Sequence, residues 1–141
     1  MNYNLGVSQS NHSRTICGSQ DNGTSINTEM GWVEMYGADG MEGFIHPLND
    51  DWMIGSLQNG GRIKTFNAGQ SNSTFTAGGE SGSWIAPMFY DPNNPMQVYS
   101  MSENVFRSTD FGSTWTNVGT PSFSGKISRG AIAENNSGIL V

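Results

Sequence analysis

Apolar and β-branched residues along this chain come in short runs, separated by clusters of Gly, Asn, Asp and Pro. No stretch keeps a helical apolar period, so almost no helix is expected. The runs predict strands at residues 15–18, 32–36, 43–46, 52–56, 62–66, 83–90, 97–101, 105–108, 114–118, 127–133 and 139–141. Turn chemistry sits between them, at Asp21-Asn22-Gly23, Asn59-Gly60-Gly61, Asp91-Pro92-Asn93-Asn94-Pro95 and Asp110-Phe111-Gly112. Residues 68–82 are small and polar and read as a long exposed hairpin or loop. The pattern is that of an all-β protein.

The strands repeat. His46-Pro47-Leu48-Asn49-Asp50-Asp51-Trp52-Met53-Ile54 returns as Asp91-Pro92-Asn93-Asn94-Pro95-Met96-Gln97-Val98-Tyr99, ~45 residues later. Ile16-Cys17-Gly18-Ser19-Gln20-Asp21-Asn22-Gly23 matches Ile54-Gly55-Ser56-Leu57-Gln58-Asn59-Gly60. Residues 132–141 resemble the stretch from Tyr90 to Tyr99. A period of ~40–50 residues with about four strands in each marks the blades of a β-propeller. The expected division is a partial blade at residues 1–40, blades at 41–82 and 83–125, and a partial blade at 126–141. That is about three blades' worth of four-stranded antiparallel sheet in one partial domain, whereas closed propellers need ~4–8 blades. An open arc would leave blade faces bare. The missing blades are therefore expected from a longer chain or from self-association.

One hairpin stands out chemically: Arg107-Ser108-Thr109-Asp110-Phe111-Gly112-Ser113-Thr114-Trp115. In Ser108-x-Asp110-x-Gly112-x-x-Trp115 the carboxylate can fold back onto turn N–H groups, and Gly112 can supply a positive φ. The Trp115 indole is expected to bury and to direct its N–H at a carbonyl. Arg62-Ile63-Lys64-Thr65-Phe66-Asn67-Ala68-Gly69 is a worn copy, with Asn67 in the place of Asp110. The motif resembles the Asp-box, the BNR repeat signature of sialidase-like, sortilin-like and xyloglucanase-like β-propellers. The resemblance extends to Gly18-Ser19-Gln20-Asp21-Asn22-Gly23-Thr24, Gly31-Trp32 and Tyr36-Gly37-Ala38-Asp39-Gly40, which are similar to secreted bacterial sortilin-like propellers. Ala38 departs from the Gly usual in that group and His46 from the usual Asp.

The resemblance implies an extracellular or cell-surface setting and a protein or carbohydrate ligand more firmly than it implies an activity. Two readings stand for Asp39. It is a turn residue holding nearby N–H groups, or it is a catalytic carboxylate, since Asp39-Gly40-Met41-Glu42-Gly43-Phe44 loosely resembles a segment carrying a catalytic Asp in xyloglucanase-like enzymes. Glycoside hydrolysis needs two carboxyl groups, ~5–5.5 Å or ~6.5–9.5 Å apart, and Asp21 and Glu42 are the nearest other acids, placed as candidates for a ligand-facing surface. Sialidase chemistry would need an arginine cluster, whereas Arg14, Arg62, Arg107 and Arg129 recur about once per blade. Trp32, Trp52, Trp84 and Trp115 recur likewise and read as inter-sheet core before sugar platforms. The expected role is a non-catalytic scaffold or recognition module. The alternative is a fragment of a xyloglucanase-like glycoside hydrolase.

Composition narrows the partners. Charged residues make up 13% and the net charge is −6, so nucleic acid, which needs clustered Lys and Arg, is not an expected partner. No apolar run reaches the length of a membrane-spanning helix. Residues 1–5 lack the basic and apolar regions of a secretory signal, and the chain is expected to begin within a larger protein. The single Cys17 forms no internal disulfide and reads as a packed thiol. His12 and His46 have no ligand partners at metal spacing, and no metal or cofactor is expected.

Overall fold

Short strands with one apolar face each can bury that face only against a neighbouring sheet, and the chain does this in series. The computed structural model of the protein describes residues 2–141. β1 (Asn2–Val7), β2 (Thr15–Ser19), β3 (Gly23–Thr28) and β4 (Gly31–Tyr36) form the first sheet. β5 (Gly40–His46), β6 (Asn49–Leu57), β7 (Arg62–Thr65) and β8 (Ser73–Phe75) form the second. β9 (Met88–Asp91), β10 (Asn94–Met101), β11 (Val105–Ser108) and β12 (Thr116–Gly119) form the third, and β13 (Ile132–Ala133) pairs with β14 (Asn136–Leu140) in a two-stranded sheet. Every pairing is antiparallel between strands adjacent in sequence. This is the build of a β-propeller segment, as the all-β reading and the four-stranded repeat predicted.

Three strands escape the hydrophobic pattern. β1 and β3 are rich in Asn, Gly, Ser and Thr, and β8 is the short strand within the polar segment expected to be a hairpin or loop. β3 is a strand because Thr24 and Ile26 are both fully buried while its other side chains pair across the sheet. Conversely, the predicted strand over 83–90 is regular only from Met88, and that over 127–133 only from Ile132. Backbone groups there serve turns and neighbours instead: Ile127 N–H donates to Ser102 O (2.7 Å) and Met101 N–H to Pro87 O (3.0 Å).

The core is two seams. Ile16, Ile26, Met35, Ile45, Met53, Leu57 and Ile63 fill the space between the first and second sheets. Ile54, Met88, Val98 and Phe111, flanked by Phe44, Trp52, Phe75 and Trp115, fill that between the second and third. Near the first strands the backbones almost touch, and a Cβ at Gly18 would run into the Met41 main chain. The four first strands converge on one groove, lined by Asn4 of β1, Glu42 of β5, Phe89 of β9 and Ile132 of β13. That groove marks the propeller axis. Antiparallel order places the β1–β2 and β3–β4 turns at one end of the arc, and the β2–β3 turns with the β4–β5 connection at the other.

At the first of these ends the turn after β11 closes on itself. Asp110 Oδ1 accepts the N–H groups of Ser113 (3.0 Å) and Thr114 (2.8 Å), and Oδ2 accepts the Thr114 hydroxyl (2.7 Å). Ser108 Oγ donates to Asp110 Oδ1 (2.7 Å) and accepts from Gly112 N–H (2.8 Å). Partial burial opposes ionisation of Asp110, but the Thr114 N–H, the two hydroxyls and the Ser113 N–H outweigh it and hold the carboxyl down at about 2. The turn after β7 repeats the arrangement with neutral groups. Thr65 Oγ1 donates to Asn67 Oδ1 (3.0 Å) and accepts from Gly69 N–H (2.9 Å), and Asn67 Oδ1 accepts from Ser71 N–H (2.9 Å). Asp110→Ala is expected to cost about 2 kcal/mol by removing hydrogen bonds to a charged acceptor, and Asp110→Asn distinctly less, because Asn67 already performs this task. Urea denaturation of the variants measures the difference. Equal losses for Ala and Asn would sink this account of the turn.

Candidate functional site

The end of the arc opposite Asp110 brings together two of the acidic residues that the sequence singled out, Asp39 and Asp21. Asp39 lies in the β4–β5 connection and is half-buried. Its Oδ1 accepts the backbone N–H of Asp21 (2.8 Å), the residue in the β2–β3 turn that carries a φ of 65°. Its own N–H donates to Gln58 Oε1 (3.2 Å), and its carbonyl accepts Gln58 N–H (3.2 Å). Asp39 therefore ties a turn of the first sheet to one of the second. Ala38, at φ 69°, occupies a left-handed position that a glycine would fill without strain. In the next repeat Asn59, at φ 57°, takes the place of Asp21 and donates its N–H to Trp84 O (3.3 Å) instead of to a carboxylate.

Glu42 stands apart from that joint. It lies on β5, its N–H donates to Ser56 Oγ (3.3 Å), and its side chain faces the axial groove. Two adjoining clefts of about 370 and 290 Å³ meet there, both lined by Asn4, Glu42, Met88 and Phe89. Tyr90, Ile132 and Glu134 complete the first cleft, and Arg129 stands in the second. Asp39 lines neither. The structure thus joins Asp21 to Asp39 but places Glu42 on a different surface.

Beside the groove lies a residue that sequence reasoning missed. Arg62, at the start of β7, is fully buried. Its guanidinium donates to the carbonyls of Gly61 (3.1 Å), Ala86 (3.1 Å) and Pro87 (3.3 Å) and to Ser100 Oγ (3.1 Å). Burial pushes its pKa down to about 10, against the attraction of Glu42, so the cation persists at neutral pH. Its fork fixes the irregular segment that leads into β9, across the second seam. Hydropathy alone assigns such an arginine to the surface. The flanking Gly60-Gly61, which leaves it no exposed neighbour, is the only sequence signal.

His46, the departure from Asp in the β5–β6 turn, performs the task of Asp91 in the next repeat. Leu48 N–H donates to His46 Nδ1 (3.2 Å), as Asn93 N–H donates to Asp91 Oδ1 (2.8 Å). The ring is buried edge-on to Trp52 and Phe111, and Nε2 has no partner. Burial lowers its pKa. Among the described residues no group of three or more His, Cys, Asp or Glu is placed to hold a metal, and no helix is long and apolar enough to cross a membrane.

Other aromatic expectations need correction. Trp32 and Trp84 are 58% and 45% exposed, and Trp84 Nε1 donates to the Tyr3 hydroxyl (3.2 Å). Trp115 stacks on Phe75 at 5.7 Å, yet its buried indole N–H has no partner where a carbonyl was expected. Cys17 is only half-buried and lines a shallow cleft with Ser19, Ser25 and Trp32 on a face of the first sheet that no other described sheet covers. The arginines do not cluster. Arg14 pairs with Asp51 (3.9 Å), Arg62 is buried, and Arg107 and Arg129 are exposed.

The architecture has counterparts among solved structures. An ancestral GH74 enzyme superposes with a TM-score of 0.78 over 95% of this chain, at 18% identity. The GH74 xyloglucanase of Xanthomonas campestris matches with a TM-score of 0.63 over 83%, at 16% identity, and the GH74 enzyme of Niastella koreensis with 0.59 over 84%, at 17%. The match spans 21%, 20% and 18% of those chains, so this chain has about a fifth of their length. No protein-family model matches the sequence, and no curated protein is similar to it. At these identities the likeness establishes a shared β-propeller fold.

Two outcomes follow from the site's geometry. Asp39→Asn keeps an oxygen for Asp21 N–H and should melt within a degree or two of the parent, while Asp39→Ala should lose about 1–2 kcal/mol. Matching melting curves for Ala and parent would show that the joint contributes nothing. For His46, the folded-state pKa lies below the ordinary 6.5, so the unfolded chain takes up the proton first as pH falls. Stability is therefore expected to decline from pH 7 to about 5.5, and His46→Asn, which can still accept Leu48 N–H, to flatten that decline. A Tm that is level across this window in the parent chain would refute the assignment.

Proposed function

We propose that this chain is a segment of a secreted, glycan-handling β-propeller of xyloglucanase-like build, and that it supplies blades and a carbohydrate-facing surface rather than a complete catalytic pair. The observation that carries this reading is the Asp39 joint. Its carboxylate oxygen is engaged by the Asp21 backbone, and Glu42, the other candidate acid, faces the axial groove. Hydrolysis of a glycoside calls for two carboxyl groups across one cleft. A polysaccharide ligand is too large to cross a membrane, which supports an extracellular setting. The Asp-box reading of Ser108, Asp110, Gly112 and Trp115 as a structural motif fits the same picture, since its hydrogen bonds are spent within the turn.

In a second reading Asp39 is one acid of a catalytic pair whose partner lies in another part of the protein, and the xyloglucanase among the similar structures supports a glycosidase of this build. Incubation of xyloglucan with a protein that carries this chain together with its remaining blades separates the two. The scaffold reading expects retardation of that protein in xyloglucan-containing native gels without release of reducing ends, and Asp39→Asn should leave the retardation unchanged. Release of reducing ends that Asp39→Asn abolishes would favour the enzyme reading.

A further inference from the structure

The two seams are built on one repeat and differ most at the slot that a turn residue fills. In the second seam Phe111 takes a left-handed conformation, φ 51°, donates its N–H to Met96 O (2.9 Å) and is fully buried. Its ring lies 5.1 Å from His46, 5.8 Å from Trp52, 6.0 Å from Phe44 and 6.2 Å from Phe66. In the first seam the same turn is held by the Thr65–Asn67–Gly69 bonds. Ala68 there has φ 53° and donates its N–H to Asp51 O (2.9 Å). The backbone is thus set to deliver a ring, but the residue delivers a methyl group.

The walls have changed too. Thr15 pairs with Asn27 in the first sheet as Met53 pairs with Thr65 in the second. Arg14 and Thr28 therefore stand where Trp52 and Phe66 stand in the next repeat. What remains is a cavity of about 460 Å³ bordered by Arg14, Glu29, Met30, Val33, Asp51 and Ala68. Such a volume lies within the usual range for small-molecule sites. Met30 and Val33 offer apolar surface, being 94% and 45% exposed. The charges are two carboxylates against one guanidinium, and Asp51 is held by Arg14 only at 3.9 Å with 56% of its side chain exposed.

We propose that this cavity binds a small aromatic cation, an arylalkylammonium group whose ring occupies the slot that Phe111 fills in the neighbouring seam and whose ammonium meets Asp51 and Glu29. The ring gains apolar contacts with Met30, Val33 and Ala68. The carboxylates set the sign of the charge that the site accepts. The slot lies at the Asp110 end of the arc, away from Asp39, so it does not depend on the reading of that residue.

Phenethylamine is the probe, with phenylacetate and butylamine as the reversed-charge and ring-free controls, titrated into the full 141-residue chain and followed by methyl NMR. The expected result is saturable shifts at Ala68, Met30 and Val33 with phenethylamine, and binding of each control weaker by about tenfold or more, since one reverses the charge and the other lacks the ring. Ala68→Phe, which fills the slot from within, should abolish the shifts while the spectrum stays dispersed. Asp51→Asn removes a half-exposed carboxylate that meets Arg14 only at 3.9 Å, and should weaken phenethylamine but not phenylacetate, which decides the matter even if Ala68→Phe does not fold. Absence of saturable binding, equal binding of phenylacetate, or indifference to both variants would overturn the proposal.

Discussion

Everything in this chain depends on sheets packing face to face. A four-stranded sheet of this size cannot bury enough apolar surface alone, and charged side chains, only 13% of the chain, are too few to build stability on the exterior. The two seams therefore carry the fold. At the axis they are brought together by the lack of side chains, as where Gly18 lets β2 meet Met41. At the Asp110 end the turns present one residue inward, Phe111 filling one seam and Ala68 bordering a cavity in the other. The hydrogen bonds of Asp110 and Asn67 contribute mainly by fixing that presentation.

The repeat was more legible than the strands. The match of His46-Pro47 with Asp91-Pro92 and of Asn67 with Asp110 exposed the period, because turn residues obey backbone geometry and change slowly in chemical type. Strands such as β3 were hidden, since in a narrow seam a threonine or a glycine serves as core where a larger side chain would not fit. Hydropathy undervalues such positions. The same limit concealed Arg62, whose burial follows from carbonyls supplied by residues 86 and 87, far along the chain. The acidic candidates were readable as residues and unreadable as a site. Asp39 and Asp21 proved to be neighbours through a main-chain N–H, while Glu42, three positions from Asp39, turned to another surface because side chains alternate along a strand.

Substitution within the repeat follows function of the atom rather than of the residue. His46 offers a ring nitrogen where Asp91 offers an oxygen, and each receives the N–H two residues ahead. The exchange leaves the turn intact but replaces a carboxylate with an imidazole, whose charge responds to mild acid. The second seam, where the His46 ring is buried, thereby acquires a sensitivity to pH.

The two ends of the arc are unlike. One shows Leu5, Val7 and Trp32 on a broad bare sheet, and the other ends in the narrow β13–β14 pair with Ile139 exposed. A further blade covers either surface as each sheet here covers the next, head to tail, a heterologous contact without a twofold axis. Such contacts have no intrinsic stopping point. Whether they give closed rings or endless filaments is set by the rotation from one sheet to the next, a property of how tightly each seam is wedged rather than of how strongly the ends adhere.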